Sequence, residues 1–541
     1  MYKKIFILLS LLSGLLLSAC SKNENTGSYP QAMSTPEGIA AKEEGAKMAP
    51  SPNFSFADDV APILPLSEEP TDRENYAHFK DNPIKQVRYH PISTFSIDVD
   101  TGAYANVRRM INSGHLPPHD AVRVEEMINY FTYDYPLPDS LEPPFKVTTE
   151  IAPTPWNQKT HLLHIGIKGY DIPKDKLPPV NLVFLVDVSG SMQSPDKLDL
   201  LKSALKLLSQ HLTDKDKVSL VVYAGAAGIV LEPTPGNQVA QIKAALDRLT
   251  AGGSTHGSAG IQLAYATAEQ AFIKDGINRI LLATDGDFNV GTVNFEALKN
   301  LIEKKRKTGI SLTTLGFGTG NYNDQLMEQI ADAGNGNYAY IDTLNEAQKV
   351  LVDEMSSTLQ IIAKDVKIQI EFNPTIVAEY RLIGYENRLL RREDFSNDKV
   401  DAGEIGAGHT VTAIYEIALV GSDGERLEKL RYGNNKTVSS GQLSSELAFL
   451  RLRYKAPDGD TSKLLEWAIM RQDMIENVEQ TSERFRFSAA VAAFGQQLRG
   501  GTYLDKFSYD DILSFARGAR GQDAFGYRGE FIKLVNLTQS L

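Results

Sequence analysis

The chain has 541 residues, 42% of them hydrophobic, which is material for roughly two to four domains. Its 68 acidic residues outnumber 56 basic ones, for a net charge of -12; a surface this acidic argues against nucleic acid, whose binding rests on Lys and Arg neutralising phosphates. Only one cysteine, Cys20, is present, which excludes disulfide, thiol and zinc-thiolate chemistry as organising principles.

The chain opens with Lys3 and Lys4 ahead of an apolar stretch, residues 5–17, too short and wrongly flanked for a stable membrane span. The stretch ends Leu17-Ser18-Ala19-Cys20, which matches the bacterial lipobox. Residues 1–19 are therefore read as a lipoprotein signal peptide, the alternative being an ordinary signal peptide that happens to contain a cysteine. The resemblance to lipoproteins implies cleavage before Cys20, acylation of that cysteine and a lipid anchor in the bacterial envelope. Ser21, rather than the Asp that retains lipoproteins in the inner membrane, favours the periplasmic side of the outer membrane. Residues 20–86 are rich in Ser, Pro, Glu, Lys and Ala and read as a flexible tether with a reach on the order of 40 Å. An alternative packs residues 54–66 onto a domain as an extended strip.

Residues 87–144 form an N-terminal helical segment. Residues 94–101 alternate as a strand does, after which Tyr104, Val107, Met110 and Ile111 fall at helical spacing, with Asp100 or Thr101 as the cap. A second helix spans about 123–130. Asp98 and Asp100 also match the opening of the haloacid dehalogenase phosphatase motif, but that motif needs Thr or Val where this chain has Gly102, so a strand end and helix cap is the reading kept. Within 145–180, residues 145–151 and 161–167 read as strands.

Residues 181–356 alternate between the two periods. Apolar runs at 181–186, 218–223, 279–284, 310–316 and 337–341 read as strands, with 228–231 a short antiparallel edge; 197–212, 239–249, 259–272 and 295–305 read as helices. This predicts an α/β domain with a doubly wound, mostly parallel sheet between two helical layers. The run Leu182-Val183-Phe184-Leu185-Val186 leads directly into Asp187-Val188-Ser189-Gly190-Ser191, so three oxygen side chains sit at alternate positions where a buried strand ends. Open parallel sheets bind ligands outside the carboxyl ends of such strands. Alone, Ser-Gly-Ser also reads as a turn and Asp187 as a cap. Two further segments converge on the same end: Gly252-Gly253-Ser254-Thr255 ahead of a helix, and Thr284-Asp285-Gly286 closing a second apolar strand.

These residues resemble the von Willebrand factor type A domain, whose metal-ion-dependent adhesion site is written D-x-S-x-S, then T, then D. The resemblance implies that Ser189, Ser191 and Thr255 hold the ion directly, that Asp187 and Asp285 bind it directly or through water, and that one position stays open for a partner's carboxylate. Mg2+ prefers near-octahedral oxygen ligation and retains water, so hydroxyls suit it; Mn2+ and Ca2+ are the alternatives. Such a site grips an acidic ligand rather than cleaving a bond. Outside this domain, Ser96-Ile97-Asp98-Val99-Asp100-Thr101, Val124-Glu125-Glu126-Met127-Ile128-Asn129-Tyr130-Phe131 and Phe485-Arg486-Phe487-Ser488-Ala489-Ala490 resemble segments of YfbK-type bacterial lipoproteins.

After the type A domain, residues 357–460 are β-rich, with strands at 366–372, 377–382, 409–419 and 447–454. Strands from both flanks are expected to share one β-sandwich into which the type A domain is inserted. Residues 461–541 are expected to be helical: Phe487, Val491, Phe494 and Leu498 make one stripe, Ser508 with Asp511 a capping box, and Phe531, Ile532 and Val535 a further apolar face. These read as core positions of a helical cap, with a partner groove as the alternative. Gly316-Phe317-Gly318-Thr319-Gly320 is read as a tight turn and not a dinucleotide fingerprint, so no nucleotide cofactor is expected. The chain has no H-E-x-x-H, P-loop or G-x-S-x-G motif, and no catalytic residue is assigned. The expected function is a membrane-anchored binding module that recognises an acidic group on a protein partner through its metal; a Mg2+-dependent envelope phosphatase or peptidase is the alternative.

Overall fold

The computed structural model describes residues 73–286, 295–428 and 445–541. The expected signal peptide, Cys20 and the expected strip at 54–66 lie outside these residues. Residues 73–86, expected as the end of the tether, belong to the folded chain. The Arg73 N–H donates to the Gly320 carbonyl at 3.0 Å and the Asn75 N–H to the Tyr322 carbonyl at 2.9 Å. Buried Asn82 donates to the Gly384 carbonyl at 2.7 Å. Composition hid this segment because backbone pairing needs no periodic apolar side chains.

β1 (Lys85–Gln86) and β2 (Ile92–Ser96) precede α1 (Gly102–Asn112) and α2 (Val124–Asn129), and the hairpin β3 (Phe145–Thr154) and β4 (Asn157–Gly169) follows. The expected capping of α1 by Asp100 or Thr101 is replaced by a cap from elsewhere. Thr101 makes no side-chain cap bond; Glu126 Oε2 accepts the Ala103 N–H at 2.7 Å, while Asp100 Oδ1 accepts the Tyr338 N–H at 2.8 Å. A helix start needs an acceptor, and packing supplied one from the next helix.

The type A domain runs β5 (Val180–Asp187), α3 (Leu200–Ser209), β6 (Lys217–Tyr223), β7 (Ala227–Pro235), α4 (Val239–Asp247), α5 (Gly257–Gln270), β8 (Ile277–Thr284), α6 (Phe295–Arg306), β9 (Ile310–Phe317), α7 (Asp324–Ala333), β10 (Tyr338–Ile341), α8 (Leu344–Gln348) and α9 (Met355–Leu359). Its sheet has the order β10-β9-β8-β5-β6-β7, parallel except for the β6–β7 pair, so the expected antiparallel edge is β7. All eight residues of β5 are buried, and they alternate between two cores. Leu182, Phe184 and Val186 pack with Leu201, Leu205 and Ile242 of α3 and α4, whereas Val183 and Leu185 pack with Ile261, Tyr265 and Leu298 of α5 and α6. A strand covered on both faces has no polar side to show, which is why its sequence is an unbroken apolar run.

Then come β11 (Ile361–Phe372), β12 (Val377–Ile383), β13 (Gly403–Gly406), β14 (Thr410–Leu419), β15 (Glu446–Lys455) and β16 (Ser462–Met470). One antiparallel sheet is ordered β1-β12-β14-β4-β3; the other is β13-β11-β15-β16, with β2 extending along the β13 edge of β11. Each sheet mixes strands from before and after the type A domain, and a shared core including Leu163, Ile165, Ile368, Phe372, Tyr380, Tyr415, Leu450 and Leu452 lies between them. The type A domain is thus inserted into a β-sandwich. β16 corrects the expectation that helix begins at residue 461: it is a half-exposed edge strand in which Leu465, Trp467 and Ile469 face the sandwich core, while the exposed Leu464 blurs the alternation in the sequence.

Helices α10 (Glu483–Leu498), α11 (Tyr509–Gly518) and α12 (Tyr527–Thr538) close the chain. They share a core with α1 and α2, where Phe131, Phe487, Phe494 and Phe531 meet edge to face at 5.1 to 5.6 Å. The Ser508–Asp511 capping box is present, with the Ser508 hydroxyl accepting the Asp511 N–H. Among the described residues, no helix is long and apolar enough to cross a membrane.

Candidate metal centre

β5 ends at Asp187, which is fully buried. A buried carboxylate is costly unless its oxygens are hydrogen-bonded. Here Oδ1 accepts the Ser189 backbone N–H at 2.8 Å and Oδ2 the Thr284 hydroxyl at 2.9 Å. Burial still raises the Asp187 carboxyl above its usual range, opposed by the Ser189 hydrogen bonds and reinforced by the charge of Asp285. A cation at this end of the sheet would act in the opposite direction.

Ser189 is buried and Ser191 half-buried on the turn after β5, and their hydroxyls are hydrogen-bonded to each other with the Oγ atoms 3.0 Å apart. That is about the separation of two adjacent ligands in an octahedron with metal–oxygen bonds of roughly 2.1 Å. The loop bearing Thr255 is pinned to this turn. The Gly190 N–H donates to the Gly253 carbonyl at 3.0 Å, the Gly252 N–H to the Val188 carbonyl at 2.8 Å, and the His256 N–H to the Ala224 carbonyl at 2.9 Å. Gly253 makes the bend at φ 86°, a region open to glycine at no steric cost. Thr255 is half-buried two residues further on.

Asp285, fully buried, follows β8 directly. Its Oδ2 accepts from Lys197 Nζ at 2.9 Å and from Asn321 Nδ2 at 3.1 Å, and Lys197 Nζ also donates to Asn321 Oδ1 at 2.9 Å. The structure thus brings Asp187, Ser189, Ser191, Asp285 and the Thr255 loop to one end of the sheet. It gives Thr284 a part, as a donor to Asp187, and adds Lys197 and Asn321, which the sequence did not single out. Lys197 reads as the start of an amphipathic helix and Asn321 as the residue after a glycine turn; nothing local marks a lysine that reaches an acid 88 positions away. The donor set is all hard oxygen with two carboxylates, which fits Mg2+ and not a soft or imidazole-seeking metal.

A second group of acids lies apart from these residues. One oxygen each from buried Asp98, Glu126 and Glu328 falls within 4.8 Å of the others. Arg388 pairs with Asp98 at 2.8 Å and Glu328 at 2.9 Å, and Arg123 pairs with Glu126 and Asp324. Two guanidinium groups therefore already answer these carboxylates, which tie α2 and the sandwich to α7.

A doubly wound sheet with D-x-S-x-S, threonine and aspartate at its carboxyl end defines a von Willebrand factor type A protein. The von Willebrand factor type A domain model matches residues 181–354, a model described as von Willebrand factor matches 70–164, and one described as Uncharacterized protein YfbK, C-terminal, matches 357–541. The protein YfbK of Escherichia coli (strain K12) is 50% identical over 472 residues, spanning 86% of this chain and 81% of the relative. The chain therefore belongs to the YfbK family. A shorter match, 37% identical over 119 residues and 21% of each chain, is to the Magnesium-chelatase 60 kDa subunit of Rhodobacter capsulatus. Among solved structures, von Willebrand factor type A from Catenulispora acidiphila aligns with a TM-score of 0.40 and 16% identity, over 75% of this chain and 91% of that one. Type A domains often mediate protein–protein interaction and bind metal.

Proposed function

We propose that this site holds one divalent cation, Mg2+ by the chemistry of its donors, and uses it to grip an Asp or Glu carboxylate of a protein partner. The observation that carries this reading is the pair of serine hydroxyls 3.0 Å apart beside buried, hydrogen-bonded Asp187. Ser189, Ser191 and Thr255 would hold the ion, with Asp187 and Asp285 supplying its balancing charge. When bound, the ion supplies a Lewis-acid position for an incoming carboxylate. The chain's own work is to hold that position: Asp187 orients the serine turn through the Ser189 N–H, the Thr255 loop is locked to that turn by two backbone hydrogen bonds, and a third ties it to Ala224 after β6. The type A domain is carried, in this reading, by an acylated Cys20 on the periplasmic side of the outer membrane, where it acts as a binding module and not as an enzyme.

Mn2+ titrated into wild type and Asp187→Ala, followed by electron paramagnetic resonance of the free ion, tests the site. Binding lost in the variant is expected. Envelope partners retained equally with and without chelator would overturn metal-dependent recognition. Chelator-sensitive phosphatase or peptidase turnover, absent from Asp187→Ala, would replace it with a hydrolase. Labelled palmitate entering wild type but not Cys20→Ala is expected for the anchor.

A further inference from the structure

Lys197 sits on the turn Pro195–Asp199 ahead of α3 with its side chain 8% exposed, and it donates to Asp285 and Asn321, both at 2.9 Å. The surrounding chain is shaped for it. Gly318 adopts φ 76°, and a Cβ there would fall 2.3 Å from Lys197 Cγ and Cε, so the aliphatic stem occupies room that only glycine leaves. The Gly318 carbonyl is in turn held by the Tyr340 hydroxyl at 2.6 Å. The glycine-rich loop after β9 is thus the wall of a channel that delivers an ammonium to the buried carboxylate of the metal centre.

The charges decide what this ammonium does. Asp187 and Asp285 bring two negative charges and Lys197 one positive, so a divalent ion leaves the set with one net positive charge. An incoming carboxylate neutralises it. Without Lys197 the two aspartates and the ion would already balance, and a carboxylate would enter as an uncompensated anion in a low-dielectric pocket. Lys197 also claims Asp285 Oδ2.

We propose that Lys197 is a positioning residue of the metal centre: a fixed second cation that weakens the hold of the chain on the divalent ion and, by the same charge, makes the loaded site selective for an anionic ligand. The inference rests on the metal-site reading above. Like charges held close together oppose one another, and the coupling between ion and anion is reciprocal: an anion that binds the loaded site more tightly tightens the ion by the same factor.

The test uses Mn2+ as the ion and acetate as the anion, with free Mn2+ read by electron paramagnetic resonance. Lys197→Met fills the same channel without charge, Lys197→Gln does so with a polar end, and Lys197→Arg keeps the charge. Both neutral variants are expected to bind Mn2+ about tenfold or more tightly than wild type. Acetate is expected to tighten Mn2+ binding in wild type and Lys197→Arg but not in the neutral variants. A purely structural ion pair would lower thermal stability in the neutral variants and leave Mn2+ affinity unchanged or weaker. Asp187-dependent Mn2+ binding within twofold of wild type in both neutral variants, or an acetate response that survives them, overturns the role of Lys197 alone. Absence of Asp187-dependent Mn2+ binding in wild type overturns the metal site itself and this role with it.

Discussion

Glu125 provides a direct reading of how burial sets the pH dependence of this fold. Its carboxyl lies at the start of α2, under the bend at Gly384 and Tyr385, where Oε2 accepts the Tyr385 N–H at 2.9 Å. Burial first, then the charges of Glu386 and Asp98, push it up to about 8 from its ordinary 4.5, against the pull of the Tyr385 hydrogen bond. Because the folded value exceeds the unfolded one, folding favours the protonated acid. The stabilisation is complete below about pH 4.5, falls as pH rises, and is lost by about pH 8. Within that window one proton is released on unfolding, which costs about 1 kcal/mol of stability per pH unit, a few kcal/mol across the interval. Glu125→Gln keeps an acceptor for the Tyr385 N–H and cannot ionise. Urea unfolding of both proteins at closely spaced pH values should give converging stabilities near about pH 5 and a variant more stable by a few kcal/mol near about pH 9. Parallel stability curves would refute the assignment, because the one titrating group removed would then have had no folded-state shift. Glu328, also pushed up to about 8 chiefly by burial, leaves a residual slope in the variant.

Arg388→Met should cost about 3–5 kcal/mol in urea unfolding, since it strips the guanidinium from buried Asp98, Asp100 and Glu328; a loss under about 1 kcal/mol would show the acids to be answered elsewhere. Gly318→Ala combines φ 76° with a clash against the Lys197 stem and should cost about 1–3 kcal/mol; an unchanged melting temperature would contradict the channel described for that side chain. Phe487→Ala removes a fully buried ring that meets Phe131 at 5.1 Å and Phe531 at 5.4 Å, and should cost about 3–5 kcal/mol by calorimetry; a small change would mean that the helical cap is not cooperative with the rest of the fold.

The candidate site was legible because its ingredients are local. Asp187, Ser189 and Ser191 lie within five residues of the last strand residue, and an apolar run ending in oxygen side chains states both the strand and its terminus. The same holds for Asp285 after β8. Capping was less legible: Ser508 and Asp511 are three apart and found each other, whereas the start of α1 drew its acceptor from Glu126 on the next helix.

What the sequence by itself determined is the doubly wound domain and the oxygen side chains at the carboxyl ends of its strands. Each of these is carried by periodicity or by residues a few positions apart, and both signals are written into any window of the chain. Only the tertiary structure decided that residues 73–86 join the fold, that β16 is an edge strand, that β2 continues the β13 edge of β11, and that Lys197 faces Asp285. These contacts are made by backbone groups or by long side chains crossing between elements far apart in the chain. No local pattern records them, because what selects the partner is proximity after folding.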